Sequence, residues 1–232
     1  MATILHIETS TNVCSVAYSH DGVCLFERLD MMGPNHASVL GGFVRDAIAF
    51  ADSQLLPIDA VAVSCGPGSY TGLRIGVSTA KGVCYGRNAK LIGIPTLEVM
   101  CVPLLLGEKI PENALLCPMI DARRMEVYTA VYDRALRPVK TICAEVLDEN
   151  SFSDLLKDQD IYFFGNGSGK FKTILDGHGV KNAHFFDDVV PVAKNMMPLA
   201  EQRLMRDETE DVAYFEPFYL KEFVAVKSKN KL

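Results

Sequence analysis

Apolar and polar positions alternate along TILHI (3–7), VCSVAYS (13–19) and GVCLFER (22–28), and the runs are broken by the polar clusters STN and HDG. That period of two, bounded by turn residues, predicts three short antiparallel strands joined by tight turns. The period then lengthens. Leu40, Val44, Ile48 and Ala51 recur at helical spacing behind Asn35, a residue suited to cap a helix. IDAVAVS (58–64) reads as a buried strand that runs into a glycine-rich loop, CGPGSYTGLRIG (65–76). A second helix over LRIGVSTAKGVCYG, a strand over KLIGI and a short helix over TLEVMCVPLLL follow.

The second half repeats this order with little residue identity. LLCPMID, MEVYTAVYD and TICAEVL predict three strands, SFSDLLKD a helix capped by Ser151, IYFF a strand, and GNGSGKFKTIL another glycine turn into a helix. Two successive units of this kind indicate a duplicated α/β architecture with a cleft between its halves. Glu8 and Asp121 close the first strand of each unit, and the glycine turns at Gly66 and Gly165 close the fourth. The layout is that of the two-lobed actin, Hsp70 and sugar-kinase superfamily, an analogy of fold that does not by itself give activity. The polar stretch 106–114 sets the expected division, with an N-terminal lobe over 1–108 and a C-terminal lobe over 109–232. Beyond it, EQRLMRDE predicts a last helix, and Lys227, Lys229 and Lys231 a solvated end rather than a nucleic-acid contact.

Composition narrows the function. Of the 232 residues 49% are hydrophobic and 22% charged, which is globular usage. A net charge of -6 speaks against a stand-alone nucleic-acid binder. The seven cysteines form no C-x-x-C pair, which suits free thiols in a cytoplasmic protein. The N-terminus lacks a basic, apolar leader, and no run approaches the ~18 apolar residues of a membrane span.

Two enzyme motifs nearly fit and fail. GNGSGK leaves three residues, not four, between Gly165 and Gly169, and Phe171 stands where a P-loop needs Ser or Thr. A hydrolase elbow around Ser69 requires glycine where Pro67 is, so Ser69 is expected to cap a helix instead. No two of the five histidines are three or four residues apart, so no helix offers paired imidazoles to a metal. Glu8 and Asp121 are equally readable as a catalytic pair across the cleft or as turn residues. In the glycine loop, Gly66, Gly68, Ser69, Thr71 and Gly72 form either an anion cradle or a packing device. Both helices of the first unit are rich in small residues. Gly41 and Gly42 sit inside one, at roughly 1 kcal/mol each relative to alanine, and Gly76, Thr79 and Gly82 in the other. That favours a helix-on-helix partner surface.

IETS (7–10), VSCGPGSYTGLRIG (63–76), IDARRMEVY (120–128) and PFYLKE (217–222) together resemble the TsaB (YeaZ) family, over nearly the whole chain. The resemblance implies a non-catalytic subunit of the bacterial tRNA threonylcarbamoyladenosine synthase that dimerises with a catalytic relative, TsaD, and lets an ATPase, TsaE, dock. The tRNA is met only through the complex, and a homodimer is a further possibility. In the catalytic relatives an H-x-x-x-H metal pair follows a similar loop; here those places fall on Thr96 and Met100, so no metal and no cofactor are expected. The glycine loop is then expected to be a vestige of a nucleotide site. Carried over from the family, the first two helices build the partner interface, with Leu40, Gly41, Val44, Ala47, Ile75, Gly76 and Thr79 as its expected contacts. A kinase or ATPase of the same fold and a peptidase are the rival enzyme readings.

Overall fold

A computed structural model describes residues 2–33, 35–107 and 110–221; the lysines at 227, 229 and 231 lie outside the described residues. The chain forms two five-stranded mixed sheets. In the first, β1 (Thr3–Glu8) pairs antiparallel with β2 (Cys14–His20), which pairs with β3 (Val23–Asp30), while β4 (Ala60–Gly66) and β5 (Lys90–Pro95) add in parallel on the other side of β1. In the second, β6 (Leu115–Asp121), β7 (Glu126–Tyr132), β8 (Pro138–Val146), β9 (Ile161–Phe164) and β10 (Ala183–Phe186) repeat that arrangement strand for strand. The orders β3-β2-β1-β4-β5 and β8-β7-β6-β9-β10 are one topology used twice, so the duplication predicted from element order is present.

The alternating strands of each hairpin are covered by helices on the side where their apolar residues point. α1 (His36–Ser53) and α2 (Tyr70–Arg87) cover one face of the first sheet, where Leu40, Val44, Ala47, Val77 and Ala80 pack with Leu5, Ile7, Val61 and Val63. α3 (Thr96–Gly107) carries apolar residues on nearly every side and is buried along most of its length, only its last turn at Leu106 and Gly107 being exposed. Accordingly Leu97, Met100 and Leu104 pack on the second sheet, while Val99 and Val102 pack toward the first. The short α4 (Ser153–Leu156) and α5 (Ser168–Leu175) cover the second sheet, with Phe152, Phe163 and Phe171 in edge-to-face contact. A 3-10 turn, Ala193–Met196, and α6 (Met197–Met205) return to the first sheet, burying Met196 and Ala200 against Ile92 and Ile94. A cut between residues 108 and 109 separates the two sheets but not the helices that cover them.

Local details depart from the sequence expectations. Asn35 precedes α1 without a side-chain cap bond; its carbonyl accepts from the Ser38 and Val39 amides instead. Ser151 does not cap α4. Its hydroxyl closes a turn with Asp148, and Phe152 holds the cap position at a left-handed φ of 59°. Strand β10 had no counterpart in the predicted second unit, and the last helix begins at Met197 rather than Glu201. Among the described residues no helix is long and apolar enough to cross a membrane.

Candidate functional site

The parallel strands β1 and β4 end side by side, which brings the IETS segment and the glycine loop into contact. The glycines are required by how close that contact is. A Cβ on Gly68 would lie 2.3 Å from the Ser10 carbonyl oxygen, one on Gly72 2.0 Å from the Thr9 carbonyl oxygen, and one on Gly76 2.2 Å from Thr9 Oγ1. Thr9 Oγ1 donates to the Gly72 carbonyl at 2.8 Å, and the Ser69 amide donates to the Ser10 carbonyl at 2.6 Å. Ser69 caps α2 as expected, its hydroxyl accepting from the Gly72 amide at 3.3 Å. The loop thus holds the chain's own turn: two backbones meet without side chains between them.

The second unit repeats the device. Gly165 has φ +96°, and a Cβ there would lie 2.4 Å from the Met119 carbonyl oxygen, while Gly167 backs onto Ile120 and Asp121. GNGSGK is therefore a packing turn at the end of β9, and its Lys170 ties back to Asp121 at 2.8 Å.

Between the two glycine turns lies a cleft of about 510 Å³, lined by Ser10, Ser69, Thr71, Asp121, Arg123 and Asn166 among others. Of the two strand-end acids only Asp121 reaches it. Burial pushes against its charge, but Lys170 and the Arg123 amide prevail and hold it below the ordinary carboxylate range. Glu8 is fully buried beneath the turn, where the Ser10 amide donates to it at 2.6 Å and the Ser64 hydroxyl donates to its other oxygen. The structure does not bring Glu8 and Asp121 together as a pair facing the cleft. Desolvation raises the Glu8 pKa despite these hydrogen bonds.

That raised value fixes a sign. Below the unfolded carboxylate pKa Glu8 is neutral in both states and its titration contributes nothing. As pH rises from there through the folded value, the unfolded chain ionises first and stability falls. Glu8→Gln is expected to remove this fall, so the variant gains on the parent between about pH 4 and neutrality, read by urea unfolding at both ends of that range. A constant difference across it would show that Glu8 stays ionised in the fold.

Burial also suppresses ionisation of other groups around the loop. Burial lowers His6 to about 3, its Nε2 lying 2.8 Å from Ser19 Oγ. Desolvation pushes the Cys65 thiol, at the head of the loop, up to about 12. Thr96 and Met100 are buried at the start of α3, and Met100 packs over Gly165. Among the described residues no three His, Cys, Asp or Glu side chains converge as a metal site.

The expected partner contacts divide by burial. Leu40, Val44 and Ala47 are at most 5% exposed and belong to the core under α1, and Gly76 is buried against Thr9. These four are not surface residues, because the apolar stripe of a helix in a globular protein faces its own sheet. Gly41 is exposed and Ile75 and Thr79 are half-buried. The open small positions are Gly41 and Gly42 on α1 and Gly82 and Gly86 on α2, where an added Cβ would meet none of the described residues within 4 Å. Sequence reasoning also gave too little weight to 210–221, whose Phe218, Tyr219 and Lys221 line the cleft. The signal in the sequence is the aromatic pair Phe218 and Tyr219 directly after Pro217.

Comparison with known proteins follows the same lines. A family model described as "TsaD: tRNA N6-adenosine threonylcarbamoyltransferase" matches residues 31–229. The Escherichia coli tRNA threonylcarbamoyladenosine biosynthesis protein TsaB is 30% identical, covering 97% of this chain and 96% of its own, and the Haemophilus influenzae TsaB is 26% identical over the same shares. A solved Pseudomonas aeruginosa protein described as similar to peptidase YeaZ superposes with a TM-score of 0.80 at 24% identity, covering 95% of this chain and 100% of that one. A Listeria monocytogenes protein named as a candidate N-acetylmannosamine kinase shares the fold at a TM-score of 0.51 and 8% identity, covering 88% and 99%. The fold is the duplicated actin and sugar-kinase type, and the chain belongs to the TsaB (YeaZ) family.

Proposed function

We propose that this chain is a non-catalytic subunit in the threonylcarbamoylation of the adenosine next to the tRNA anticodon. It acts in the cytoplasm by pairing with a TsaD-like catalytic subunit, on which a TsaE-like ATPase docks, and it meets tRNA only in that assembly. The observation that carries this reading is the open face of α1 and α2. Gly41 and Gly42 on one helix and Gly82 and Gly86 on the other leave room for a partner's backbone, and none of the described residues fills it. Glycines inside exposed helices lower helix stability, so their presence is accounted for by close helix packing from outside.

The interior supports the same reading. Glu8 is sealed under the turn, and the glycine loop spends its freedom on Thr9 and Ser10. What such a subunit contributes is a bias: it shifts the catalytic partner toward its active state by the difference in its affinity for the two states.

The test is co-purification with the TsaD-family protein of the same organism and an assay of threonylcarbamoyladenosine formation with and without this chain. Pairing, together with loss of synthesis when the chain is omitted, is the expected result. Equal synthesis by the catalytic subunit without it, or turnover by this chain alone, defeats the proposal. A stable self-paired form that excludes the catalytic subunit identifies the homodimer instead.

A further inference from the structure

After α6 the chain runs as an extended strap along the first lobe. Glu210 bridges antiparallel to Leu91 at the free edge of β5, the Phe215 ring covers Gly93, and Lys81 Nζ donates to the carbonyls of Ala213 (3.1 Å) and Phe215 (3.0 Å). The Phe218 amide then donates to the Cys65 carbonyl at 2.7 Å, and the Phe218 carbonyl occupies the space where a side chain on Gly66 would be. The Tyr219 ring lies against that of Tyr70, 4.7 Å between centroids and tilted by 34°. All these anchors belong to the first lobe. Lys221 then crosses to the second, its Nζ meeting both carboxylate oxygens of Glu126 on β7, one at 2.6 Å. Between these last anchors, Phe218 to Lys221 form one wall of the cleft, with Ser10, Asp121 and Arg123 also in its lining.

We infer that residues 210–221 are a latch: a strap fixed to the first lobe that holds the cleft closed through the Lys221–Glu126 ion pair. The strap is built in two strengths. Its root is held by backbone hydrogen bonds and ring contacts, whereas its tip depends on an ion pair whose lysine is 48% exposed. Glu126 is 17% exposed, but the lysine end of the pair stands half in solvent, where salt screens it, so the tip releases before the root does. Release frees the second lobe to move away from the glycine loop while the strap stays on α2 and β5. This goes beyond the pairing role proposed above and is measured on the chain alone, so its failure leaves that proposal standing.

Hydrogen exchange on the full chain separates a latch from a loose end. The amides to follow are Phe218, bonded to Cys65, and two that line the cleft away from Lys221: Ser69, bonded to the Ser10 carbonyl, and Asp121, bonded to Asn166 Oδ1 at 2.9 Å. Lys221→Glu and Glu126→Lys are each expected to speed exchange at Ser69 and Asp121 about threefold, the scale of a partly exposed ion pair, while Phe218 at the root keeps the parent rate, and the double reversal to restore the parent rates throughout. Raised salt reproduces the single variants in the parent chain. Faster exchange confined to Phe218, no change in either single variant, or a double variant as fast as the singles would each overturn the latch.

Discussion

Gly72→Ala is expected to cost about 3 kcal/mol, at the upper end of what overpacking a well-fitted site does, whereas the same change at Gly82, ten residues along the same helix, is expected to stabilise the chain by roughly 1 kcal/mol. On helix propensity alone both substitutions should help, since alanine loses less conformational freedom than glycine on entering a helix. The surroundings reverse the sign at one of them. The new methyl at Gly72 would stand 2.0 Å from the Thr9 carbonyl oxygen and 3.3 Å from the His36 ring. Neither neighbour can give way cheaply. Thr9 is held by its own hydroxyl to the Gly72 carbonyl, and His36 Nε2 donates to the Thr11 carbonyl at 2.7 Å. At Gly82 the methyl projects into open space. Urea unfolding of the two variants beside the parent decides it. Midpoints that shift in the same direction would mean that α2 does not press on the IETS turn as described.

This contrast also shows what the sequence could and could not disclose. The glycine loop, the helix after it and the repeated order of elements were legible because each is written in neighbouring residues: turn formers, a change of period, an apolar run. The purpose of the glycines was not, because the groups they accommodate lie 63 positions away in the chain, as for Thr9 and Gly72. The same limit put core residues among the expected partner contacts. Leu40, Val44 and Ala47 are legible as an apolar stripe, but a stripe by itself does not say whether it covers its own sheet or a partner. In the fold these three side chains pack, together with those of α2, on the β1 to β5 sheet beneath them. Strand β10 was missed for a related reason: AHFF is only four residues long and half-buried throughout, and it is fixed by parallel pairing to β9 rather than by its own pattern. The strap was missed because extended chain without period looks like a tail until the partners of Phe218 and Lys221 are known.

The open face of α1 and α2, proposed above as the partner's seat, yields the second large effect. Gly41→Arg on α1 and Gly82→Arg on α2 are each expected to weaken pairing with the catalytic subunit by a hundredfold or more, about 2.7 kcal/mol, and to abolish threonylcarbamoyladenosine synthesis at ordinary protein concentrations. Neither should harm the fold. Both sites are open to solvent in the lone chain, and arginine is a far better helix former than glycine, so the unfolding midpoints should rise slightly. Loss of association with gain of stability is a combination that a folding defect cannot produce. Leu40→Asp lacks that power: at 1% exposure it puts a charge into the core and loses pairing and fold together. Two controls complete the set. Gly41→Ala adds only a methyl and should keep most of the affinity, and Met205→Arg, at an 82% exposed site on α6, should change neither quantity. Binding measured by calorimetry or by co-elution at a series of concentrations gives the affinities. If Gly41→Arg and Gly82→Arg pair as tightly as the parent, the partner seats elsewhere on the molecule and the small residues of α1 and α2 need another explanation.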